Sequence, residues 1–332
     1  MKPYIWQAPL HGITSHTFRN TLCRHFGGID CIMAPFLPAQ PAGKFRPKIW
    51  QDIAPENNTA LPLVPQLMGN RLEQFVDTMR MLNEQFGYER FNINIGCPSS
   101  PVVRHTRGCG LMPYAETVEQ IVAAVTRETP FHLSLKMRLG LHSADEGREL
   151  LTRLNNYPLE FLVIHPRLGD DFYEGVPDWN TFEEFCQLTP HKIVYSGDIF
   201  TVEDYLTLSN RFPDVSGWML GRGLLRNPFL AEEIKGHDVG DKKGRFSAFY
   251  QDFIESQLPI RGESGTLANL KELWHYFAHF THLPEDDLQR LLRICNLQEF
   301  VEMSLAVCSR QHQPQTSYVS PLNQNVEKNT QS

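Results

Sequence analysis

The hydrophobic positions follow two alternating patterns over roughly the first two thirds of the chain. Short apolar or alternating stretches, typical of buried strands, are followed by segments in which apolar residues recur every three or four positions, as on one face of a helix. We predict strands at residues 4–8, 31–34, 61–67, 91–95, 131–138, 159–165, 192–195 and 217–220. We predict helices between them at residues 14–23, 73–86, 117–125, 144–154, 179–188 and 202–208.

This repetition predicts an α/β protein built as a (β/α)8 TIM barrel, because each strand is followed by a helix about eight times over. An open doubly wound sheet is the alternative. The barrel is favoured because the strand count is high and no Gly-x-Gly-x-x-Gly motif follows the first strand. Residues 36–60 show no periodicity and contain four prolines, so we expect a long loop that is either functional or simply solvated.

The pattern changes after a polar bridge at residues 235–244, where only helical spacing remains. Three apolar stripes at this spacing predict a small helical bundle. We therefore divide the chain into a barrel domain at 1–240, a helical domain at 245–308 and a tail at 309–332. The tail is rich in Gln, Asn and Ser and is expected to be disordered.

Composition narrows the class of protein. The 332 residues are 41% hydrophobic and 21% charged, which is ordinary for a globular protein. There is no apolar run long enough to span a membrane and no secretion signal, and seven scattered cysteines suggest reduced thiols, so we expect a cytoplasmic protein. No metal-ligand set is present. The net charge of −7 argues weakly against a nucleic-acid binder but leaves room for a local basic patch.

Candidate chemistry centres on Cys97, which follows the fourth strand between Gly96 and Pro98. A thiol at the C-terminal end of a barrel strand faces the usual substrate side. The alternative is a small buried packing residue, which most free cysteines are. The glycine and proline around it favour the catalytic role. Asn94 has the same parity as Asn92, so both amides are expected to point into one space.

Other polar residues are predicted at the same strand ends. They are Gln66, Lys136, Arg138, His165, Arg167, Ser196, Gly197, Asp198, Gly221 and Arg222, beside Ala8, Pro9 and Leu10. Two glycine turns after the last two strands, with Arg222, predict a phosphate site, although such turns also occur as plain connections. A phosphate site with Lys136 suggests a flavin. The alternatives are that Lys136 forms a salt bridge in the barrel and that His165 is a core histidine.

Seven motifs resemble the dihydrouridine synthase family, in the family's order and across the whole barrel. They are Ala-Pro-Leu-His-Gly-Ile-Thr (8–14), Val-Pro-Gln-Leu-Met-Gly (64–69), Asn-Ile-Asn-Ile-Gly-Cys-Pro (92–98), Leu-Lys-Met-Arg-Leu-Gly (135–140), Ile-His-Pro-Arg (164–167), Tyr-Ser-Gly-Asp (195–198) and Leu-Gly-Arg-Gly-Leu-Leu-Arg-Asn-Pro (220–228). The Asn-x-Gly-Cys-Pro element, together with the others, is the strongest signal. Leu10, Ser196, Pro166 and Leu168 depart from the family's usual methionine, asparagine, glycine and threonine.

The resemblance implies a flavin barrel with a helical RNA-binding domain that reduces uridines in tRNA, with FMN as cofactor and NADPH or NADH as reductant. The sequence itself does not separate tRNA from rRNA as the substrate. We further expect a monomer that uses neither a metal nor a membrane. Cys97 would be the general acid. The resemblance assigns the uracil to Asn94, Arg138 and Arg167. It assigns FMN to Ala8, Pro9, Leu10, Gln66, Lys136, His165, Ser196, Gly197, Asp198, Gly221 and Arg222.

Such a reduction adds a hydride to C6 of uracil and a proton to C5, and a thiol opposite the flavin suits the proton. The uridine must leave its stack to reach a barrel mouth. Basic residues that would meet RNA phosphates are Lys44, Arg46, Lys48, Arg104, His105 and Arg107. The sequence leaves three alternative functions open. They are a flavin reductase for a small molecule, an inactive RNA-binding barrel, and a flavin-free lyase or isomerase with a Schiff base on Lys136.

Overall fold

All the strand pairings of the barrel are parallel. The computed structural model describes residues 2–41 and 47–309. The strands are β1 (Ile5–Gln7), β2 (Cys31–Met33), β3 (Leu37–Pro38), β4 (Leu63–Val64), β5 (Gln66–Met68), β6 (Arg90–Ile95), β7 (His132–Gly140), β8 (Leu159–Leu168), β9 (Ile193–Tyr195) and β10 (Gly217–Leu220). They are ordered β3-β5-β6-β7-β8-β9-β10-β1-β2-β4. The predicted α/β barrel is confirmed.

The two ends of the strand order meet because each belongs to an interrupted strand whose two halves pair with the same neighbouring stretch of chain. β2 pairs with β4 and β3 pairs with β5, while β4 and β5 lie on either side of Pro65 in one stretch of chain. The ten strands therefore occupy eight positions around a ring. Proline has no N–H to give to a neighbouring strand, which accounts for the interruption. Our prediction of one continuous strand at 61–67 was wrong in this respect.

Our prediction of a long loop at residues 36–60 was also wrong for the part of this segment that the structure describes. It contains β3, the helix α2 (Pro47–Ile53) and a 3-10 turn at Pro55–Asn57. The carboxylate of Asp52 receives a hydrogen bond from the fully buried guanidinium of Arg19 at 3.1 Å. Burial of an arginine requires such a partner, so this segment is a packed part of the barrel wall.

Helices cover the outside of the barrel. They are α1 (His16–His25), α2 (Pro47–Ile53), α3 (Leu72–Phe86), α4 (Ser100–Val103), α5 (Ala115–Glu128), α6 (Ala144–Leu154), α7 (Trp179–Leu188), α8 (Val202–Arg211), α9 (Arg222–Arg226) and α10 (Leu230–Ile234). Side chains in the sequence explain several of their ends. Thr201 and Asp204 form a capping box at the start of α8, and α3 ends at Gly87, whose φ of 74° suits glycine.

The C-terminal helices pack directly on the barrel. They are α11 (Lys242–Phe280), α12 (Glu285–Arg293) and α13 (Leu297–Ser309). The long α11 is interrupted at Gly262, whose φ/ψ of 64°/178° are not helical. Phe18 of α1 meets Phe253 of α11 edge to face at 5.5 Å, and both rings are buried. This helical region was predicted, whereas the domain limits at 240, 245 and 308 remain a prediction.

Two further expectations concern the chain as a whole. Residues 310–332 of the predicted tail lie outside the described residues. Within the described part, no helix is long and apolar enough to cross a membrane. All seven cysteines are free thiols.

Candidate functional site

The interior of the barrel changes from apolar to polar towards the C-terminal ends of the strands. An apolar cluster fills the lower part and reaches the end of β1 at Ala8; its members are Trp6, Ala8, Cys31, Met33, Val64, Phe161, Val163, Val194 and Met219. Above it the strand register places Asn94 beside Lys136 and Arg138 beside His165. Side chains of register partners in a sheet point to the same face. The structure therefore brings these predicted residues to one mouth.

Cys97 lies in the turn directly after β6 and is half-buried. Its backbone N–H and that of Gly96 both donate to Oδ1 of Asn94, each at 3.0 Å. The segment that follows folds back over this turn, because the N–H of Cys109 donates to the carbonyl of Cys97 at 2.9 Å. Cys109 itself is fully buried, and burial raises the pKa of its thiol to about 12. Cys109 is thus a packing cysteine, whereas Cys97 stands at the mouth.

Three side-chain amides and a hydroxyl form a continuous series beneath Cys97. Gln66, Asn92 and Ser134 are register partners on three neighbouring strands. Their hydrogen bonds run from Asn94 to Gln66 at 2.9 Å, from Gln66 to Asn92 at 2.8 Å and from Asn92 to Ser134 at 2.9 Å. The shared parity of Asn92 and Asn94 pointed to part of this series. Ser134 was missed, although it has the same parity as Lys136 and Arg138.

Lys136 lies in this polar layer without an opposite charge. Burial is the main cause that lowers the pKa of its ammonium group from 10.5 to about 8, and the neighbouring Arg138 lowers it further. No carboxylate in the described ranges lies within ion-pair distance of Lys136, so the salt bridge considered from the sequence is absent there. A half-buried cation without a carboxylate suits an anionic or electron-rich ligand.

His165 is a neutral hydrogen-bonding histidine. Its Nδ1 lies 2.6 Å from the carbonyl oxygen of Ser196, which can only accept, so Nδ1 carries the proton. Nε2 is then free to accept from Arg167 at 3.3 Å. Burial, followed by the charges of Arg138, Lys136 and Arg167, holds the pKa of His165 well below its usual value. His165 therefore adds no positive charge to the mouth near neutral pH.

Asp198 joins two arginines of the site. One carboxylate oxygen accepts from Arg167 and the other from Arg222. Arg167 is almost completely buried and also donates to the carbonyls of Glu174 and Gly175, at 2.9 and 2.7 Å. In this arrangement Arg167 holds the loop after β8. Its predicted contact with uracil remains a prediction.

That loop carries Tyr173, a residue missed in the sequence. Two guanidinium groups approach its ring, with Cζ of Arg138 at 5.1 Å and Cζ of Arg222 at 4.9 Å from the ring centroid. The residue is nevertheless 53% exposed. Cation–π contacts with two guanidinium groups hold such a ring in place at the mouth. The only sequence signal was the Phe172-Tyr173 pair within an otherwise polar stretch.

The two glycine turns predicted for phosphate lie after neighbouring strands, β9 and β10. Gly197 has to be glycine, since a Cβ there would meet the hydroxyl of Tyr195 at 2.5 Å. At Gly221 a Cβ would contact only Ala8 and Leu10, at 3.4 and 3.8 Å, so the first strand end borders this turn. These small residues, with the arginine after Gly221, leave room for a phosphate beside backbone N–H groups.

The basic residues expected to meet RNA are described only in part. Arg104 and His105 are exposed on the segment that follows Cys97. The side chains of Lys44, Arg46 and Lys48 lie outside the described residues. No group of three metal-ligating side chains occurs within the described ranges. A cavity of about 380 Å³ lies between α11 and the start of α13 and is lined by none of the predicted site residues.

Comparisons with known proteins agree with this geometry. The sequence profile of one family, described as dihydrouridine synthase (Dus), matches residues 6–272. A tRNA-dihydrouridine(16) synthase of Cupriavidus necator is 28% identical over 244 residues, covering 70% of this chain and 73% of that protein. Its counterpart in Ralstonia nicotianae is 26% identical over 330 residues, covering 92% and 98%. A mutant of morphinone reductase in complex with tetrahydroNAD has a similar fold, with a TM-score of 0.51 and 10% identity, over 70% of this chain and 86% of that one.

Proposed function

Because the chain belongs to the dihydrouridine synthase family, we propose that it reduces the C5–C6 double bond of specific uridines in tRNA. FMN is the proposed cofactor and NADPH or NADH the electron source. The observation that carries this proposal is the meeting of a half-buried thiol, Cys97, with an uncompensated cation, Lys136, at one barrel mouth. The relatives named for position 16 make that position the first to examine.

The residues at the mouth fit FMN. Lys136 provides a positive charge for the electron-rich ring. Gln66 is assigned to the ring edge, where its N–H would exchange the weak acceptor Sδ of Met33, at 3.2 Å, for a ring atom. Backbone N–H groups at Gly197 and Gly221, with Arg222, suit the phosphate. Ala8, Pro9, Leu10, His165, Ser196 and Asp198 complete the proposed contacts. When bound and reduced, FMN supplies the hydride that C6 of the uracil receives.

The chain's own residues deal with the proton and the uracil. We assign the Sγ–H of Cys97 as the donor of the proton to C5, from the face opposite the cofactor. We assign the second amide N–H of Asn94 and the guanidinium of Arg138 to a uracil carbonyl, where they would stabilise the negative charge that develops. Arg138 already donates Nε–H to the carbonyl of Gly96 and Nη1–H to that of Leu168, so its Nη2 would make this contact. Arg167 supports this pocket through the loop that carries Tyr173.

The substrate must present its uridine outside the base stack, so the enzyme binds folded RNA and extrudes one nucleotide. We assign RNA binding to the helical region at 245–308 and to exposed basic residues such as Arg104. Because the net charge is −7, affinity should depend on a confined basic surface and fall with salt. A cytoplasmic monomer is the form proposed, with tRNA favoured over rRNA by the names of the relatives.

The proposal is tested with purified protein, FMN, NADPH and an unmodified tRNA transcript. Mass spectrometry of the digested nucleosides should detect dihydrouridine, which carries two more hydrogens than uridine. Cys97→Ala should abolish the product while FMN stays bound. Cys186→Ala is the matched control, since Cys186 is also half-buried but lies on α7, outside the barrel. Undiminished product from Cys97→Ala would remove the acid role. No product from the unaltered protein on tRNA, with turnover on a small enone, would reject the proposal itself.

A further inference from the structure

A directional series of hydrogen bonds connects the barrel wall to the backbone of Cys97. Ser134 is the far end of the series, and its hydroxyl donates to the carbonyl of Phe91 at 3.1 Å. Asn92, Gln66 and Asn94 follow in turn, with all donor–acceptor distances between 2.8 and 2.9 Å. Every one of these four polar side chains is buried. A buried polar series that is fully satisfied holds a single arrangement.

Both ends of the series impose the same donor-to-acceptor direction on its hydrogen bonds. The hydroxyl hydrogen of Ser134 is used on a carbonyl, so its oxygen must accept from Nδ2 of Asn92. At the other end, Oδ1 of Asn94 accepts two backbone N–H groups, from Gly96 and Cys97. This leaves only Nδ2 of Asn94 to face Gln66. None of the amides can be flipped without placing two donors or two acceptors opposite each other.

We propose that Ser134 and Asn92 are positioning residues that, through Gln66 and Asn94, hold the turn carrying Cys97 in its working position. Neither residue needs to touch cofactor or substrate for this role. The series also commits Asn94 to being a donor at the mouth, because its Oδ1 is already occupied by two backbone N–H groups. The Nε2 of Gln66 is used inside the barrel, on Oδ1 of Asn92 at 2.8 Å and on Sδ of Met33 at 3.2 Å. Asn94 therefore faces acceptor atoms, such as ring or uracil carbonyl oxygens, and not an N3–H group.

The expected effects on turnover rest on the proposed function. The experiment therefore includes a second measurement that is independent of that function. In flavin-free protein, the rate of alkylation of Cys97 by iodoacetamide is measured by peptide mass spectrometry, relative to the exposed Cys295. Ser134→Ala removes the acceptor for Asn92 and should raise the relative rate about fivefold, the size that one lost hydrogen bond produces. Ser134→Thr keeps the hydroxyl and should restore the original rate.

Turnover is then compared per bound FMN. Ser134→Ala and Asn92→Ala should lower kcat about tenfold or more, with KM for tRNA nearly unchanged, because a small displacement of the acid affects the reaction more than binding. The matched control is Thr129→Val. Thr129 has a buried hydroxyl that donates at 2.7 Å and accepts at 3.4 Å, but it precedes β7, at the opposite end of the barrel.

The outcomes are separable. If the unaltered protein makes dihydrouridine and Ser134→Ala behaves like Thr129→Val in both assays, the positioning role is refuted. If the unaltered protein makes none, the proposed function fails, and the alkylation series alone decides on the positioning role. A parallel loss of stability and flavin content, with full activity per bound flavin, would show that Ser134 is merely structural.

Discussion

Replacing Lys136 by methionine should stabilise the flavin-free protein. The pKa of Lys136 is lowered from 10.5 to about 8, chiefly by burial. At neutral pH the folded state therefore holds a charge that the unfolded state would solvate more favourably. The difference between the two pKa values corresponds to roughly 3 kcal/mol. Methionine preserves most of the aliphatic packing and removes the charge.

The free energy of unfolding should depend on pH in a direction that the lowered pKa of Lys136 determines. Between about pH 8 and 10.5 the unfolded lysine binds more protons than the folded one, so the stability of the unaltered protein rises with pH in this window. Below pH 8 both states are charged and the full cost is present. The stability difference between Lys136→Met and the unaltered protein should be largest below pH 8 and should shrink as pH rises towards 10.5.

Urea unfolding of flavin-free protein at pH 7 and at pH 9.5 measures the difference, and thermal unfolding at pH 7 should show a rise of ~4 °C for a chain of 332 residues. Lys192→Met serves as control, since Lys192 is exposed just before β9. The same Lys136 variant should bind FMN more weakly. An unchanged or lowered stability at pH 7, or a difference that grows with pH, would refute the electrostatic argument.

Three further predictions follow from the contacts. Asp198→Asn leaves the buried Arg167 without its counter-charge and should cost about 3 kcal/mol in urea unfolding, and a loss near zero would contradict this. Phe253→Ala removes a buried ring from the contact with Phe18 and should cost about 3–5 kcal/mol, whereas a small cost would mean that the helical region hardly supports the barrel. Arg104→Ala should reduce the slope of log Kd for tRNA against log salt by about 1 in a filter-binding series, and an unchanged slope would exclude its phosphate contact.

The barrel could be predicted because its elements have strong local periodicity. The strands at β1, β6 and β9 and the helices α3, α6 and α7 lie at or within a few residues of their predicted positions. The break at Pro65 was not anticipated because the apolar run continues across it. The segment containing α2 was missed because it is held by tertiary contacts, such as the Arg19–Asp52 ion pair, and not by an apolar stripe.

The candidate site, like the fold, could be predicted from the sequence only in part. A polar residue at a strand end is visible in sequence, so Cys97 and Lys136 were found. Pairings between strand ends are not visible, because they depend on side-chain directions across the barrel. This is why the link from Asp198 to two arginines was missed. Tyr173 was missed for a related reason, since its position depends on cations from two other strand ends.

The charges at the mouth connect stability with binding. The protein has a net charge of −7, yet within the described residues neither Lys136 nor Arg138 forms an ion pair with a carboxylate. The nearby carboxylate of Asp198 pairs instead with Arg167 and Arg222. Concentrating uncompensated cations in a partly buried space costs folding free energy. An anionic or electron-rich ligand recovers that cost when it binds. Ligand binding should therefore stabilise this barrel most at the pH values where Lys136 is charged, and least in Lys136→Met.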